Sequence, residues 1–298
     1  MRISLSPEIA TAQAQGRPVV ALESTVVAHG MPSPVNLEVA RETLAAVRAA
    51  GALPAMIGIV AGELIAGLSE EQIADFARRD DAEKVSRRDL AAVIAAGRNG
   101  ATTVAATMIA AHLAGIRVFA TGGIGGVHRG AERSFDVSAD LTELGRTPVA
   151  VVSAGAKAIL DLPRSLEVLE TLGVPVAGYG TGDFPAFYSR SSGLPVSVSV
   201  ADAAEAAALL RAHWTLGLQS GVLIANPIPE AAEMTDAESF IAQAVAEAED
   251  QGVSGKQVTP FLLGRLAELS EGRTQAANRA LIVNNARVAA EIAVELAK

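Results

Sequence analysis

Lysine is rare in this chain, and one lysine follows an apolar segment. The 24 basic residues include only four lysines, Lys84, Lys157, Lys256 and Lys298, so arginine is the usual cation. Lys157 comes directly after Val151-Val152-Ser153-Ala154-Gly155-Ala156, where burial would favour a neutral amine. A neutral amine is a nucleophile that can bond to carbon, which arginine is not. Lys157 is therefore a candidate nucleophile, although a lysine extending its charge to solvent from a helix start fits the same pattern.

Other polar or glycine-rich segments follow predicted strands, and open α/β sheets bind ligands beyond the carboxyl ends of their strands. These segments are Leu22-Glu23-Ser24-Thr25 with His29-Gly30, the glycine-rich loop Gly122–Gly130, Phe135–Asp140, and Ser153–Lys157. Glycines allow close approach and positive φ angles, so the loop's backbone N–H groups could bind an anion; a tight turn without a ligand is the alternative. The loop matches neither the dinucleotide-binding nor the phosphate-loop spacing.

Carboxylates and a second lysine supply further candidates. Asp136 and Asp140 stand four residues apart with Ser138 between them, a set suited to a Mg²⁺- or Mn²⁺-class ion or, alternatively, to helix capping. The absence of cysteine and the scatter of four histidines argue against a structural zinc site. Lys84, in Lys84-Val85-Ser86-Arg87-Arg88-Asp89, is a candidate phosphate contact or an ordinary solvated charge.

Short β-branched runs alternate with longer Ala/Leu/Glu segments, which predicts parallel strands with helices on both faces. The predicted strands are Pro18–Ser24, Ala55–Val60, Arg117–Thr121, Val149–Ser153, Val174–Gly178 and Gly221–Ala225. The predicted helices are Leu37–Ala50, Ala101–Ala114, Ala156–Leu172, Ala237–Gln251, Thr259–Leu269 and Thr274–Leu296, the last with Thr274 as its N-cap. Since no linker divides these elements, we expect one α/β domain over residues 1–298.

Composition excludes several classes of protein. Half of the 298 residues are hydrophobic, enough for a large core, so a disordered chain is excluded. The net charge of −9 argues against a surface that binds nucleic acid polymers. Residues 99–116 lack charged side chains, but their threonines, glycines and histidine favour a buried globular helix over a membrane span. The first ten residues contain no apolar run typical of a signal peptide, and we expect a cytoplasmic protein.

Taken together, these segments resemble the pseudouridine-5'-phosphate glycosidase family, also described as indigoidine synthase A-like proteins. The resemblance extends over nearly the whole chain in several long motifs that occur in the same order. The motifs are Val20–Thr25 with His29-Gly30, Lys84–Asp89, Gly100–Ala105, Phe119–Gly130, Asp136–Asp140 and Ser153–Lys157.

The resemblance implies a three-layer α/β/α fold and the reversible cleavage of pseudouridine 5'-phosphate, with water, to uracil and ribose 5-phosphate. By the same resemblance, Lys157 is the nucleophile that attacks the anomeric carbon and Glu23 is the proton donor. Asp136 would hold a divalent ion, usually Mn²⁺, and the protein would be a homotrimer. The implied substrate contacts are Lys84, Val104, Thr121, His128, Ser138, Ala139, Asp140 and Asn284, with Asn285 the alternative to Asn284 for contact with uracil.

Two other functions remain open. Gly180-Thr181-Gly182-Asp183 is similar to the anion-hole loop of ribokinase-like sugar kinases, with Asp183 as the base, although Pro185 interrupts the helix that should follow. A sensor that binds nucleotides or sugar phosphates without catalysis would keep the same pocket. The presence of both Glu23 and Lys157 favours the glycosidase.

Overall fold

The centre of the protein is a sheet of short, apolar strands. The computed structural model describes residues 3–79, 81–253 and 258–298. Within these ranges the strands are β1 (Ser4–Leu5), β2 (Val19–Glu23), β3 (Leu53–Val60), β4 (Glu63–Ala66), β5 (Glu83–Val85), β6 (Gly100–Thr102), β7 (Val118–Ala120), β8 (Val127–His128), β9 (Ala150–Ser153), β10 (Leu160–Asp161), β11 (Val176–Tyr179), β12 (Val198–Val200) and β13 (Val222–Ala225).

Helices connect most of these strands. In the same ranges they are α1 (Pro7–Ala14), α2 (Val35–Ala49), α3 (Glu70–Arg78), α4 (Leu90–Ala95), α5 (Val104–Leu113), α6 (Ala131–Ser134), α7 (Ala139–Leu144), α8 (Leu162–Thr171), α9 (Ala203–Thr215), α10 (Ala237–Asp250), α11 (Val258–Leu269) and α12 (Arg273–Leu296). A π-helical turn at Val26–Gly30 follows β2, and a 3₁₀ turn at Glu230–Ala232 follows β13.

Most of the main sheet is parallel. Its order is β1-β4-β3-β2-β7-β9-β13-β11-β12, with β6 also paired to β3 and β5 paired to β6. The exceptions are β4 and β6, which run antiparallel to β3. Leu22, Ala120 and Val152 stand side by side across β2, β7 and β9. The carboxyl ends of these three central strands therefore lie at one edge of the sheet.

Helices cover both faces of the sheet and give the predicted three layers. Side chains alternate between the two faces along each strand. On β2, Val20 and Leu22 belong to one buried cluster, together with apolar residues of α2, α3, α9 and α12. Val19 and Ala21 belong to the other, together with residues of α1, α5, α7 and α8. The α/β/α class predicted from the sequence is confirmed.

Two predicted helices are too long. The helix predicted over Ala101–Ala114 begins at Val104, because Gly100–Thr102 forms β6 between β3 and β5. A side chain on Gly100 would meet Val85 Cγ2 at 2.5 Å, so only glycine fits this contact. The helix predicted over Ala156–Leu172 begins at Leu162, where the Asp161 carboxylate accepts a hydrogen bond from Arg164 N at 3.1 Å. Residues 156–161 form a loop and the short strand β10.

Thr274 is not an N-cap. Helix α12 follows Gly272, whose φ of 81° is left-handed, and Thr274 lies inside the first turn, with its hydroxyl 3.0 Å from Ser270 Oγ. The uncharged stretch 99–116 divides into β6, α5 and the approach to β7, as the globular interpretation requires. Within the described part of the chain, no helix has the combined length and apolarity that crossing a membrane would need.

Candidate functional site

A cavity of about 890 Å³ opens at the carboxyl ends of β2, β7 and β9. Apolar residues of α10 and α11, including Val245 and Leu262, form its far wall. The cavity brings together ten of the eleven residues predicted for the site. They are Glu23, Lys84, Val104, Thr121, His128, Asp136, Ser138, Ala139, Asp140 and Lys157.

Glu23 is a buried carboxyl group at the end of β2. Its two oxygens accept hydrogen bonds from the hydroxyls of Thr25 and Thr121. Burial raises the pKa of Glu23, and the Asp140 carboxylate raises it further, while the charge of Lys157 and the two hydroxyls act in the opposite direction. The raised pKa favours the protonated form, which can act as a general acid.

Lys157 lies on the loop after β9 and is held there by its backbone. Its N–H donates to the carbonyl of Ile124 at 3.0 Å, and Ile124 N donates to Gly155 O at 3.1 Å. Gly155 has a φ of +80°, and a side chain there would lie 2.4 Å from the carbonyl oxygen of Pro185. The Lys157 side chain is half-buried, and no described residue accepts a hydrogen bond from its amine. A primary amine and a buried carboxyl group with a raised pKa thus share one cavity.

The glycine-rich loop is a packing element. Its N–H groups at Ile124, Gly125 and Val127 donate to Gly155 O, Asp140 Oδ2 and Ser165 Oγ, at 3.1, 2.8 and 2.9 Å. These groups are therefore already bonded within the protein, and the predicted anion nest is not formed by them. Glycine is required because neighbouring atoms approach closely. A side chain at Gly123 would lie 2.6 Å from the Phe187 ring, and one at Gly125 would lie 2.2 Å from Ser138 Oγ.

Asp140 joins three elements of the site. Its Oδ1 accepts a hydrogen bond from Ala105 N at the start of α5, at 2.9 Å, and its Oδ2 accepts one from Gly125 N at 2.8 Å. Its own N–H donates to Ser138 Oγ, the N-cap of α7, at 3.2 Å. Only 6% of Asp140 is exposed, and both of its carboxylate oxygens are bonded within the protein. This geometry gives Asp140 a positioning role at the edge of the cavity.

Asp136 is the candidate metal ligand, and it lies beside His128. The backbone N–H of His128 donates to Asp136 O at 3.0 Å. Burial lowers the pKa of His128. The Asp136 carboxylate acts to raise this pKa, whereas the charges of Lys157 and Lys84 lower it further. Among the described residues, no group of three or more His, Asp or Glu side chains could hold a metal. A single carboxylate suits a Mg²⁺- or Mn²⁺-class ion that keeps most of its waters, so the residues fit that type of ion.

His29 lines the same cavity, and its sequence position indicates no role beyond its place after Glu23. It lies on the π-helical turn Val26–Gly30. Burial lowers its pKa, the nearby charge of Lys84 lowers it further, and a backbone hydrogen bond at Ala82 opposes them. Its Nε2 is buried, and no residue in the described ranges bonds to it. The π-helical turn, a feature frequent at functional sites, marks this position only in the structure, so no sequence signal distinguished it.

The structure places Asn284 outside the cavity. Asn284 accepts a hydrogen bond from Arg287 at 3.0 Å and lines a separate surface groove between α2 and α12. Asn285 is fully buried, and its amide donates to Thr121 O at 2.8 Å, supporting the loop from behind. The α12 amide that lines the cavity is Asn278, about 1.7 turns before Asn284. Side-chain direction on a 24-residue helix cannot be read from the motif alone.

The kinase-like tetrapeptide is not part of the described lining of this cavity. Gly180–Asp183 follows β11, and the Asp183 carboxylate accepts a hydrogen bond from Ser191 Oγ at 2.6 Å. None of these four residues is among the described residues that line the cavity. The Asp183 base that the ribokinase-like interpretation requires is therefore not among the described residues that line the cavity with Glu23 and Lys157.

Comparison with known families agrees with this geometry. The family model described as indigoidine synthase A like protein matches residues 8–295. The chain belongs to this family. A protein of Paracoccus denitrificans named pseudouridine-5'-phosphate glycosidase is 58% identical, over 99% of this chain and 98% of its own length. A protein of the same name from Caldanaerobacter subterraneus subsp. tengcongensis is 56% identical, over 99% of this chain and 97% of its own length.

Two solved structures have the same fold. The prealnumycin C-glycosynthase AlnA, in complex with ribulose 5-phosphate, is 42% identical, with a TM-score of 0.92 over 100% of this chain and 97% of its own. An indigoidine synthase A-like protein from Thermotoga maritima is 39% identical, with a TM-score of 0.91 over 100% of this chain and 97% of its own. The resemblance inferred from the motifs is thus confirmed over the full chain.

Proposed function

We propose that this protein cleaves the C–C glycosidic bond of pseudouridine 5'-phosphate with water, giving uracil and ribose 5-phosphate, and that the reaction is reversible. The observation that carries the proposal is the pairing of Lys157 with the buried, protonatable Glu23 in one cavity. The names of relatives with more than half of their residues identical support the substrate. The name of the C-glycosynthase describes formation of the same class of bond by that protein.

Lys157 supplies the nucleophile. A carbon leaving group has no lone pair to protonate, so the acid catalysis used by ordinary glycosidases is inadequate. The neutral amine bonds to the anomeric carbon while the bond from that carbon to the ring oxygen breaks. When the bond to uracil then breaks, its electron pair goes to C5 of uracil, and the nitrogen lone pair forms a C=N bond. Water adds to this imine and releases ribose 5-phosphate and the amine.

Glu23 moves the protons that these steps require. Its protonated form donates to the ring oxygen as the sugar opens, and the carboxylate recovers a proton as the lysine nitrogen loses one. The same carboxyl group can then protonate C5 of the departing uracil. The hydroxyls of Thr25 and Thr121 hold both oxygens in place throughout.

The rest of the cavity binds the substrate. We assign Lys84, Val104, Ser138 and Ala139 to the ribose phosphate, and Thr121 and His128 to the region of the reacting carbon. Asp136 would hold a divalent ion, Mn²⁺ or a related cation, which when bound polarises oxygen atoms of the substrate. We also propose a cytoplasmic homotrimer. The absence of cysteine is compatible with a reducing compartment, and the family resemblance supports the trimer.

The test is uracil release from pseudouridine 5'-phosphate by protein treated with a chelator, with Mn²⁺ restored or withheld. We expect release without ATP only when the ion is restored. Consumption of ATP with free pseudouridine would favour a kinase, and tight binding without turnover would favour a sensor. Binding of Mn²⁺ to wild type and to Asp136→Ala, followed by calorimetry, tests the metal site independently of activity. Light scattering gives the oligomeric state.

A further inference from the structure

Arg87 and Glu143 form an ion pair of unequal exposure beside the cavity. The guanidinium bonds Glu143 through two nitrogens, Nε to Oε2 at 2.5 Å and Nη2 to Oε1 at 3.1 Å. The Glu143 side chain is fully buried, whereas the Arg87 side chain is 49% exposed. The Thr147 hydroxyl also donates to Glu143. The carboxylate is therefore fixed, and it fixes the plane of the guanidinium.

The remaining edge of Arg87 is available to a ligand. Arg87 lines the cavity, and no described residue accepts a hydrogen bond from its Nη1. The same stretch carries Lys84 on β5, and Glu143 lies on α7, whose N-cap is Ser138 and whose first turn carries Asp140. The ion pair thus ties together two walls of the part of the cavity assigned to the ribose phosphate.

We propose that Arg87 is a further substrate-binding residue, that its free guanidinium edge contacts the 5'-phosphate, and that Glu143 positions it. This inference rests on the proposed function. Arginine suits the role because its planar fork can bond a carboxylate on one edge and a phosphate oxygen on another. Lysine, a point charge with no fixed plane, cannot hold both groups in the same way.

Exposure distinguishes this pair from the surface pairs of the chain. Arg48 bonds Glu8 through two nitrogens at 2.7 and 2.9 Å, but both side chains are about half exposed, 49% and 51%. That pair lies on α1 and α2 and has no role in the cavity. Arg48 therefore provides a control of equal exposure and equal hydrogen bonding.

The experiment compares Arg87→Gln, Arg87→Lys and the control Arg48→Gln. We expect Arg87→Gln to raise KM for pseudouridine 5'-phosphate and to weaken inhibition by ribose 5-phosphate by about 30-fold, with kcat changed by less than about 3-fold. Inhibition by uracil should not change. Arg87→Lys should recover only part of the loss, and Arg48→Gln should match wild type. Unchanged KM and inhibition in Arg87→Gln would overturn the proposal and leave Arg87 only the task of neutralising Glu143.

Glu143→Gln tests the positioning role. It should fall between wild type and Arg87→Gln in KM; equal values for Glu143→Gln and wild type would overturn the positioning by Glu143. If Glu143→Gln does not fold, Arg87→Lys still tests the fork, since the lysine leaves the carboxylate paired. Failure of the proposed function looks different: wild type would then release no uracil at all, whatever residue stands at position 87.

Discussion

Asp140 offers the sharpest test of how the cavity is built, through the substitution Asp140→Asn. Both carboxylate oxygens now accept backbone hydrogen bonds, from Ala105 N at 2.9 Å and Gly125 N at 2.8 Å. The asparagine amide has one oxygen and one NH₂ group, so it can accept only one of the two bonds. Its NH₂ group would then face a backbone N–H, and donor would meet donor.

The cost follows from these two contacts. A hydrogen bond to a charged group contributes about 1.5–3 kcal/mol, and a buried N–H left without an acceptor costs about 1–3 kcal/mol. Allowing for some relaxation, we expect Asp140→Asn to lower the free energy of unfolding by about 2–4 kcal/mol. Urea unfolding followed by circular dichroism measures it.

Asp161→Asn is the matched control. Asp161 caps α8 through one bond, to Arg164 N at 3.1 Å, and asparagine caps a helix about as well as aspartate. We expect its free energy of unfolding to stay within about 0.5 kcal/mol of wild type. If Asp140→Asn also stays within that limit while substrate affinity falls, Asp140 contacts the substrate directly, and the positioning role is wrong.

Two further predictions concern the loop and the acid. Gly125→Ala places a methyl group 2.2 Å from Ser138 Oγ, so we expect kcat/KM for uracil release to fall at least about 10-fold; Gly182→Ala, with no atom nearer than 4.0 Å, should match wild type. The stability of Glu23→Gln relative to wild type should increase as pH rises. In wild type, the raised pKa of Glu23 stabilises the folded state fully below the ordinary value of 4.5, and this stabilisation is lost as pH rises through the folded pKa. Glutamine does not titrate, so the variant loses nothing over the same range. Each unit by which the pKa is raised corresponds to about 1.4 kcal/mol in the difference in unfolding free energy between the variant and wild type. Urea unfolding from about pH 4 to about pH 8 measures this difference, and a constant difference across that range would contradict the raised pKa.

The sequence was a good guide to the layers and to the central site residues. Strands such as β9 are continuous apolar runs, and their short length and β-branched residues separate them from helices. The polar residues that end β2, β7 and β9 were placed together correctly, because parallel strands present their carboxyl ends at one edge. Motif order then identified the family without any tertiary information.

The misplaced details depend on contacts between distant segments. β6 has the composition of a helix start, and only its neighbours β3 and β5 make it a strand. The glycine loop was a candidate for an anion site or for a tight turn, and its N–H groups at Gly125 and Val127 bond to the distant acceptors Asp140 and Ser165. Which amide of α12 faces the cavity depends on how the helix is rotated against the sheet, and sequence spacing does not fix that rotation.

The central claim is that Lys157 forms a covalent bond to the sugar, and reductive trapping tests it most directly. Wild type is incubated with ribose 5-phosphate and then with borohydride, which reduces an imine to a stable secondary amine. We expect peptide mapping to find one ribose phosphate per chain, on the peptide that contains Lys157, and none in Lys157→Arg. Lys84 lines the same cavity and serves as the internal control. Labelling of Lys84 in place of Lys157, or full uracil release by Lys157→Arg, would contradict the account.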